Sequence, residues 1–247
     1  MTTQSEYPQP PLSLTKGIGP ALAHDDPAQL IGSSLFAADR DFPQLTLNAP
    51  AIAHNIDAMM SYVRDRGVSI APHGKTAMSP QLAQQQVDAG AWGITAATPF
   101  QLRVYRAAGM PRLLLANQLV EPGAIAWIRG ELAADPDFEC LVYADSIAGL
   151  DLLADPSAAD GDRPLSVLLE AGNPGGRTGA RDEDALRALA EHAARTPGIR
   201  VVGVATYEGT LGGDTPEESA ARVVAFAEHL GQIVGRLEEA QLVPGDC

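Results

Sequence analysis

Residues 67–90 read GVSIAPHGKTAMSPQLAQQQVDAG: an apolar run, a short turn carrying a histidine and a lysine, and a stretch with two legible ends. The aliphatic run GVSIAPH (67–73) predicts a strand. Ser79-Pro80 then opens QLAQQQVDA, with a hydroxyl to cap the first amides and Pro at the first helical position. Gly90 supplies the left-handed residue that ends the helix. Strand, turn and helix make one βα unit, and Ala71-Pro72-His73-Gly74-Lys75-Thr76 falls at the C-terminal end of its strand.

The same grammar recurs along the chain. Thr98-Pro99 opens FQLRVYRAA and Gly109 closes it. Thr215-Pro216-Glu217-Glu218 opens a helix over 216–240 and adds a capping box through Glu218. Between helical stretches lie WGITAA (92–97), RLLLAN (112–117), ECLVYA (139–144), LSVLLEA (165–171) and RVVGVATY (200–207). Several are near-continuous apolar runs, as expected of parallel strands covered on both faces. Six βα units at fairly even spacing predict a (β/α)8 barrel rather than a doubly wound sheet. No GxGxxG follows a strand and opens a helix, which weighs against dinucleotide binding. A closed barrel needs eight strands, so the expected fold is an incomplete one. VPGDC (243–247) reads as the approach to a seventh strand, with another subunit as an alternative way to close the sheet. Residues 1–34, with Pro8, Pro10, Pro11, Gly17, Gly19 and Pro20 and no sustained period, are expected to form an N-terminal arm. Residues 35–247 are expected to form the barrel domain.

Composition narrows the function classes. Hydrophobic residues make up 45% and charged residues 19% of 247, a globular balance with ample material for a core. Seventeen basic against 31 acidic residues leave a net charge of −14, which disfavours nucleic acid and anionic membrane surfaces as partners. The two cysteines, Cys140 and Cys247, form no CxxC and suggest neither a disulfide framework nor a zinc cluster; a reducing cytoplasm suits them. The N-terminus lacks a basic and apolar signal pattern, and no apolar run reaches the ~20 residues of a membrane helix.

Candidate chemistry collects at strand ends, the face that carries active sites in barrels of this type. Lys75, behind Gly74 and an apolar strand, is expected to be poorly solvated, and desolvation favours the neutral, nucleophilic form of an amine. His73, two residues earlier, shares its face in extended backbone. Gly175-Gly176-Arg177-Thr178-Gly179 follows LSVLLEAG; its glycines let backbone approach a ligand while Arg177 points inward, or it is a glycine-rich turn with an exposed arginine. Tyr207 in Thr206-Tyr207-Glu208-Gly209 ends the last strand, with its hydroxyl in a site or in water. Asn117, at the end of RLLLANQLV, is a site residue or a loop-capping amide.

The stretch PHGKTAMSPQLAQQQVDAGAWGITAATPFQLRVYRAAGMPRLLLANQLV (72–120) resembles the fold-type III pyridoxal-phosphate enzymes of the alanine racemase N-terminal domain type. The closest branch is that of D-serine dehydratase, D-threonine aldolase and amino acid deaminase, and the likeness runs from about residue 45 to 240. It implies that Lys75 is the Schiff-base (internal aldimine) lysine, with His73 as its catalytic companion. It implies cofactor contacts from Thr76, Arg177, Tyr207 and Asn117, Arg177 at either the phenolic oxygen or the pyridine nitrogen. A guanidinium at the nitrogen would leave it unprotonated, which suits Cα bond breaking closely followed by loss of a β leaving group.

The activity implied is an ammonia-lyase acting on a small β-hydroxy D-amino acid such as D-serine or D-threonine. A D-threonine aldolase-type retro-aldol lyase is one alternative; a non-catalytic pyridoxal-phosphate carrier or an inactive fragment is another. The aldolase-type motif usually continues as KTHK, whereas this chain has Thr76-Ala77-Met78, a tilt toward deamination. The resemblance also implies a divalent metal held by a His and a Cys of a C-terminal β-domain, ligands expected to lie beyond this chain, with Cys247 expected to come too early to be that cysteine. The glycine- and serine-rich loops that hold the cofactor phosphate follow later strands. A cytoplasmic homodimer binding a small amino acid completes the expectation.

Overall fold

The computed structural model describes residues 27–38, 40–158 and 162–245. Residues 1–26 of the expected arm, and Cys247, lie outside them. The chain divides into two compact units, Met1–Tyr62 and Val63–Cys247. In the first, a 3-10 turn spans Pro27–Leu30, the rings of Phe36 and Phe42 stack with centroids 6.1 Å apart, and Asn48 caps the start of α1 (Ala49–Asp65) by accepting from Ala51 N at 3.0 Å.

The second unit alternates helix and strand: α2 (Pro80–Asp88), β1 (Ile94–Ala96), α3 (Pro99–Ala107), β2 (Arg112–Gln118), α4 (Pro122–Ala134), β3 (Glu139–Ala144), α5 (Ile147–Leu153), β4 (Leu165–Ala171), α6 (Glu183–Ala193), β5 (Ile199–Thr206) and α7 (Pro216–Glu239). The strands pair in parallel in chain order, β1-β2-β3-β4-β5. Right-handed crossovers between sequential parallel strands put the connecting helices on one face of the sheet. Alternate residues of the strands face them: Leu113 and Leu115, Cys140 and Val142, Val167 and Leu169 are buried against Leu102, Ile128, Leu150, Leu186 and Leu189 of α3 to α6. Burying each such side chain contributes about 1.5–3 kcal/mol. The other set, including Leu114, Leu141, Tyr143, Ser166 and Leu168, is half-buried on the inner, concave face. This is a five-stranded part of an α/β barrel, as the strand spacing predicts.

The first of the six expected strands is corrected. Residues 67–73 do not form a ladder; a single parallel bridge joins His73 to Thr95. Three backbone bonds still lay the segment along β1: Trp92 N to Ile70 O (2.8 Å), Thr95 N to Pro72 O (2.9 Å) and Gly74 N to Thr95 O (2.8 Å). Pro72 has no amide to donate, which is why pairing thins out there.

The helix ends fall where the punctuation puts them. Ser79 Oγ accepts from Leu82 N (3.4 Å), Thr98 Oγ1 from Gln101 N (3.3 Å) and Thr215 Oγ1 from Glu218 N (3.2 Å). Gly90 and Gly109 take φ of 110° and 89° just past α2 and α3. In the last capping box Glu218 Oε2 reaches Asp214 N (2.9 Å), one residue before the cap. Among the described residues no helix is long and apolar enough to cross a membrane.

Candidate active site

Lys75 stands on a turn that is pinned from three sides through its neighbour Gly74. The Gly74 amide donates to Thr95 O on β1. Its carbonyl accepts from Met78 N (2.9 Å), closing the turn, and from the hydroxyl of Tyr105 (2.7 Å), a fully buried side chain of α3. Glycine is required at 74 because a β-carbon there would overlap the Tyr105 hydroxyl and lie 2.7 Å from its Cε2. A fixed backbone thus presents Lys75 at the C-terminal end of the sheet.

The loops after β4 and β5 end on the same edge. Residues 172–180 leave β4 and return through a bridge between Ala171 and Ala180. Gly172 and Gly179 allow that close return: a β-carbon on Gly179, whose φ is 90°, would lie within 2.8 Å of Gly172 Cα. Arg177 sits on this loop with its guanidinium carbon 4.1 Å from the centre of the Tyr207 ring, a cation–π arrangement. Tyr207 follows Thr206, whose hydroxyl donates to Ala171 O at 2.8 Å, so β4 and β5 carry the pair together. The Tyr207 ring folds back over Gly209, where a β-carbon would meet the phenol hydroxyl and push the ring aside.

Electrostatics tie the two halves. His73 titrates below its ordinary value of 6.5, through partial desolvation first and then repulsion by Lys75 and by Arg177. The imidazole is therefore neutral at neutral pH and has a lone pair to offer. Neither Lys75 nor Arg177 makes an ion pair among the described residues. In a chain of net charge −14, two cations that both act on one imidazole and lack a carboxylate partner favour an anionic ligand over a cationic one.

Lys75 itself is exposed, not dry as expected. The described sheet is open, with β1 and β5 as its edge strands, so no strand faces the amine across a closed mouth. Thr76 is also exposed and makes no hydrogen bond among the described residues. Asn117 Nδ2 donates to Ala97 O (3.1 Å) and its Oδ1 accepts from Gln118 N (3.0 Å), bracing the end of β2. The next residue turns inward instead, where the Gln118 amide donates to Glu170. Glu170, Gln118 and Tyr105 were not singled out in the sequence; a lone carboxylate inside the apolar run LSVLLEA was the available signal for Glu170. Among the described residues no cluster of His, Cys, Asp or Glu is arranged to hold a metal.

A parallel partial barrel with a lysine turn at its C-terminal edge defines the class, and comparison with known proteins agrees: the alanine racemase N-terminal domain family matches residues 47–244. The chain belongs to that family, the fold-type III pyridoxal-phosphate enzymes. It is similar to D-threonine aldolase of Arthrobacter sp., with 27% identity over 80% of this chain and 51% of the relative. It is likewise similar to D-threo-3-hydroxyaspartate dehydratase of Delftia sp., with 30% identity over 77% of this chain and 49% of the relative. The solved D-threonine aldolase of Filomicrobium marinum superposes with a TM-score of 0.73 at 26% identity, covering 82% of this chain and 54% of that one. The chain thus spans about half the length of the curated relatives it matches.

Proposed function

We propose that this chain carries the pyridoxal-phosphate-binding part of a lyase that removes ammonia from a small β-hydroxy D-amino acid. One observation carries the proposal: Lys75 and Arg177 each lie within electrostatic reach of His73, and neither cation has a carboxylate partner among the described residues. That donor set suits pyridoxal phosphate, an anionic aromatic aldehyde. Bound, the cofactor offers an aldehyde to an amine and a ring that withdraws electrons from the substrate's Cα. Lys75 is the amine so placed, and its second task is to take the proton from Cα. His73, neutral and two residues away, accepts and returns protons as the β-hydroxyl leaves. Arg177, held over Tyr207, fixes an oxygen or nitrogen of the cofactor ring by its guanidinium. Asn117 and Thr76 support this arrangement from its rim, Asn117 by bracing β2.

The similarity to two D-threonine aldolases supports a second reading, retro-aldol cleavage, which uses the same residues and breaks the Cα–Cβ bond. One experiment tests both. The purified chain is titrated with pyridoxal phosphate before and after Lys75→Ala, and D-serine and D-threonine are then added with assays for keto acid and for aldehyde. An imine band near ~420 nm that requires Lys75, with keto acid as product, supports the ammonia-lyase. Aldehyde as product supports the aldolase. A band with no turnover points to a carrier, and a band that survives Lys75→Ala overturns the assignment of the lysine.

A further inference from the structure

Glu170 is 3% exposed and lies in β4, yet its carboxylate faces the concave side of the sheet rather than the helices. No cation neutralises it among the described residues. A buried carboxylate without a counter-charge is costly unless hydrogen bonds satisfy both its oxygens. Both are satisfied: Oε2 accepts from the Gln118 side-chain amide on β2, and Oε1 accepts from the Thr178 hydroxyl at 2.6 Å. Thr178 is the residue after Arg177. The loop is also held by main chain, through Ala180 N to Glu170 O and Gly172 N to Ala180 O, each 2.8 Å. Those bonds close the base of the loop; beside the arginine, Gly176 N donates to Asn173 O (2.9 Å), and Thr178 is held at its carbonyl by Arg181 Nη1 (3.2 Å) and at its side chain by Glu170 alone among the described residues.

We propose that Glu170 is the positioning residue for Arg177, acting through Thr178 to hold the guanidinium over Tyr207 and toward an anionic ligand. The inference rests on the pyridoxal-phosphate reading above. Gln118 has the complementary task of holding the carboxylate in the rotamer that meets Thr178. Three variants separate the parts. Glu170→Ala removes both acceptors. Thr178→Val removes only the hydroxyl on an isosteric, β-branched frame, so it carries the test if Glu170→Ala does not fold. Glu170→Gln retains an acceptor for Thr178, and rotation of the Gln118 amide lets the second contact survive.

Two readouts apply. In the cofactor-free chain, trypsin cuts after Arg177 at a rate that reports how firmly the loop is held. With the cofactor, titration of the imine band gives the pyridoxal-phosphate Kd. The expected result is that Glu170→Ala and Thr178→Val speed cleavage after Arg177 and weaken Kd by about tenfold, corresponding to ~1.4 kcal/mol, while Glu170→Gln stays near the parent chain in both. In an Arg177→Ala background, Thr178→Val should weaken Kd no further, because the arginine it serves is gone. Additive losses in that double variant, or a Thr178→Val chain equal to the parent in cleavage and affinity, would overturn the proposal. Failure of the cofactor reading shows itself differently: the parent chain gives no imine band, while the cleavage comparison still reports on the loop.

Discussion

Replacing Gly74 by alanine tests the link between packing and presentation of Lys75. The added methyl would lie 2.7 Å from Tyr105 Cε2 and overlap the hydroxyl, and the ring is fully buried, so it has nowhere to move. Inserting a methyl into a closed contact of this kind costs about 1–3 kcal/mol. For a chain of this size each kcal/mol lowers Tm by roughly 2–4 °C, which sets an expected fall of about 2–12 °C by circular dichroism. The turn must shift as well, and the Lys75-dependent imine band should weaken more than Tm alone explains. Adding Tyr105→Leu removes the ring edge that causes the clash. The double variant should therefore lose about 1 kcal/mol less than the sum of the single losses. A Gly74→Ala chain within about 0.5 kcal/mol of the parent, or strict additivity in the double variant, would refute the packing argument.

Other outcomes follow from the same geometry. Because native His73 titrates below 6.5, the unfolded chain binds a proton that the native chain does not in the window between the two values. Stability should therefore fall as pH drops through that window, and His73→Gln should flatten the slope in denaturant titrations. Arg177→Ala removes one of the repelling charges, so the His73 imidazole should titrate higher by proton NMR; no movement would separate Arg177 from this site. Tyr207→Phe should retain the stacked guanidinium and Tyr207→Ala should lose it, at about 0.5–1 kcal/mol in cofactor affinity, read from the Kd titration. Cys140 is buried and its thiol pushed up to about 12 by burial, so in a Cys247→Ser chain a thiol reagent should react only on unfolding.

Much of the fold was legible because its signals are local. A hydroxyl followed by Pro, and a Gly after the last apolar turn, fix α2 and α3 from within twelve residues each, Ser79 to Gly90 and Thr98 to Gly109. The strands of a parallel sheet announce themselves as apolar runs because helices cover them. The place of Lys75 was legible for the same reason, as a residue between a strand-like run and a capped helix. Its exposure was not, since hydration depends on what stands across the sheet rather than on its neighbours in sequence. Tyr105 and Gly74 are 31 positions apart, and Gln118 and Glu170 are 52 apart. Such pairs are made by strand register and helix placement, so no local pattern reveals them. Asn117 and Gln118 show the limit most plainly: adjacent amides at one strand end, of which one braces backbone and the other turns inward to a buried carboxylate.

The chain contains only two lysines, Lys16 and Lys75, which makes the central claim open to a single covalent measurement. Pyridoxal phosphate is added, the imine is reduced with borohydride, and the digest is mapped by mass spectrometry. The reduced adduct is expected on the peptide containing Lys75, at one equivalent and in competition with free D-serine. An adduct confined to Lys16 or the amino terminus, or none at all, would contradict the account.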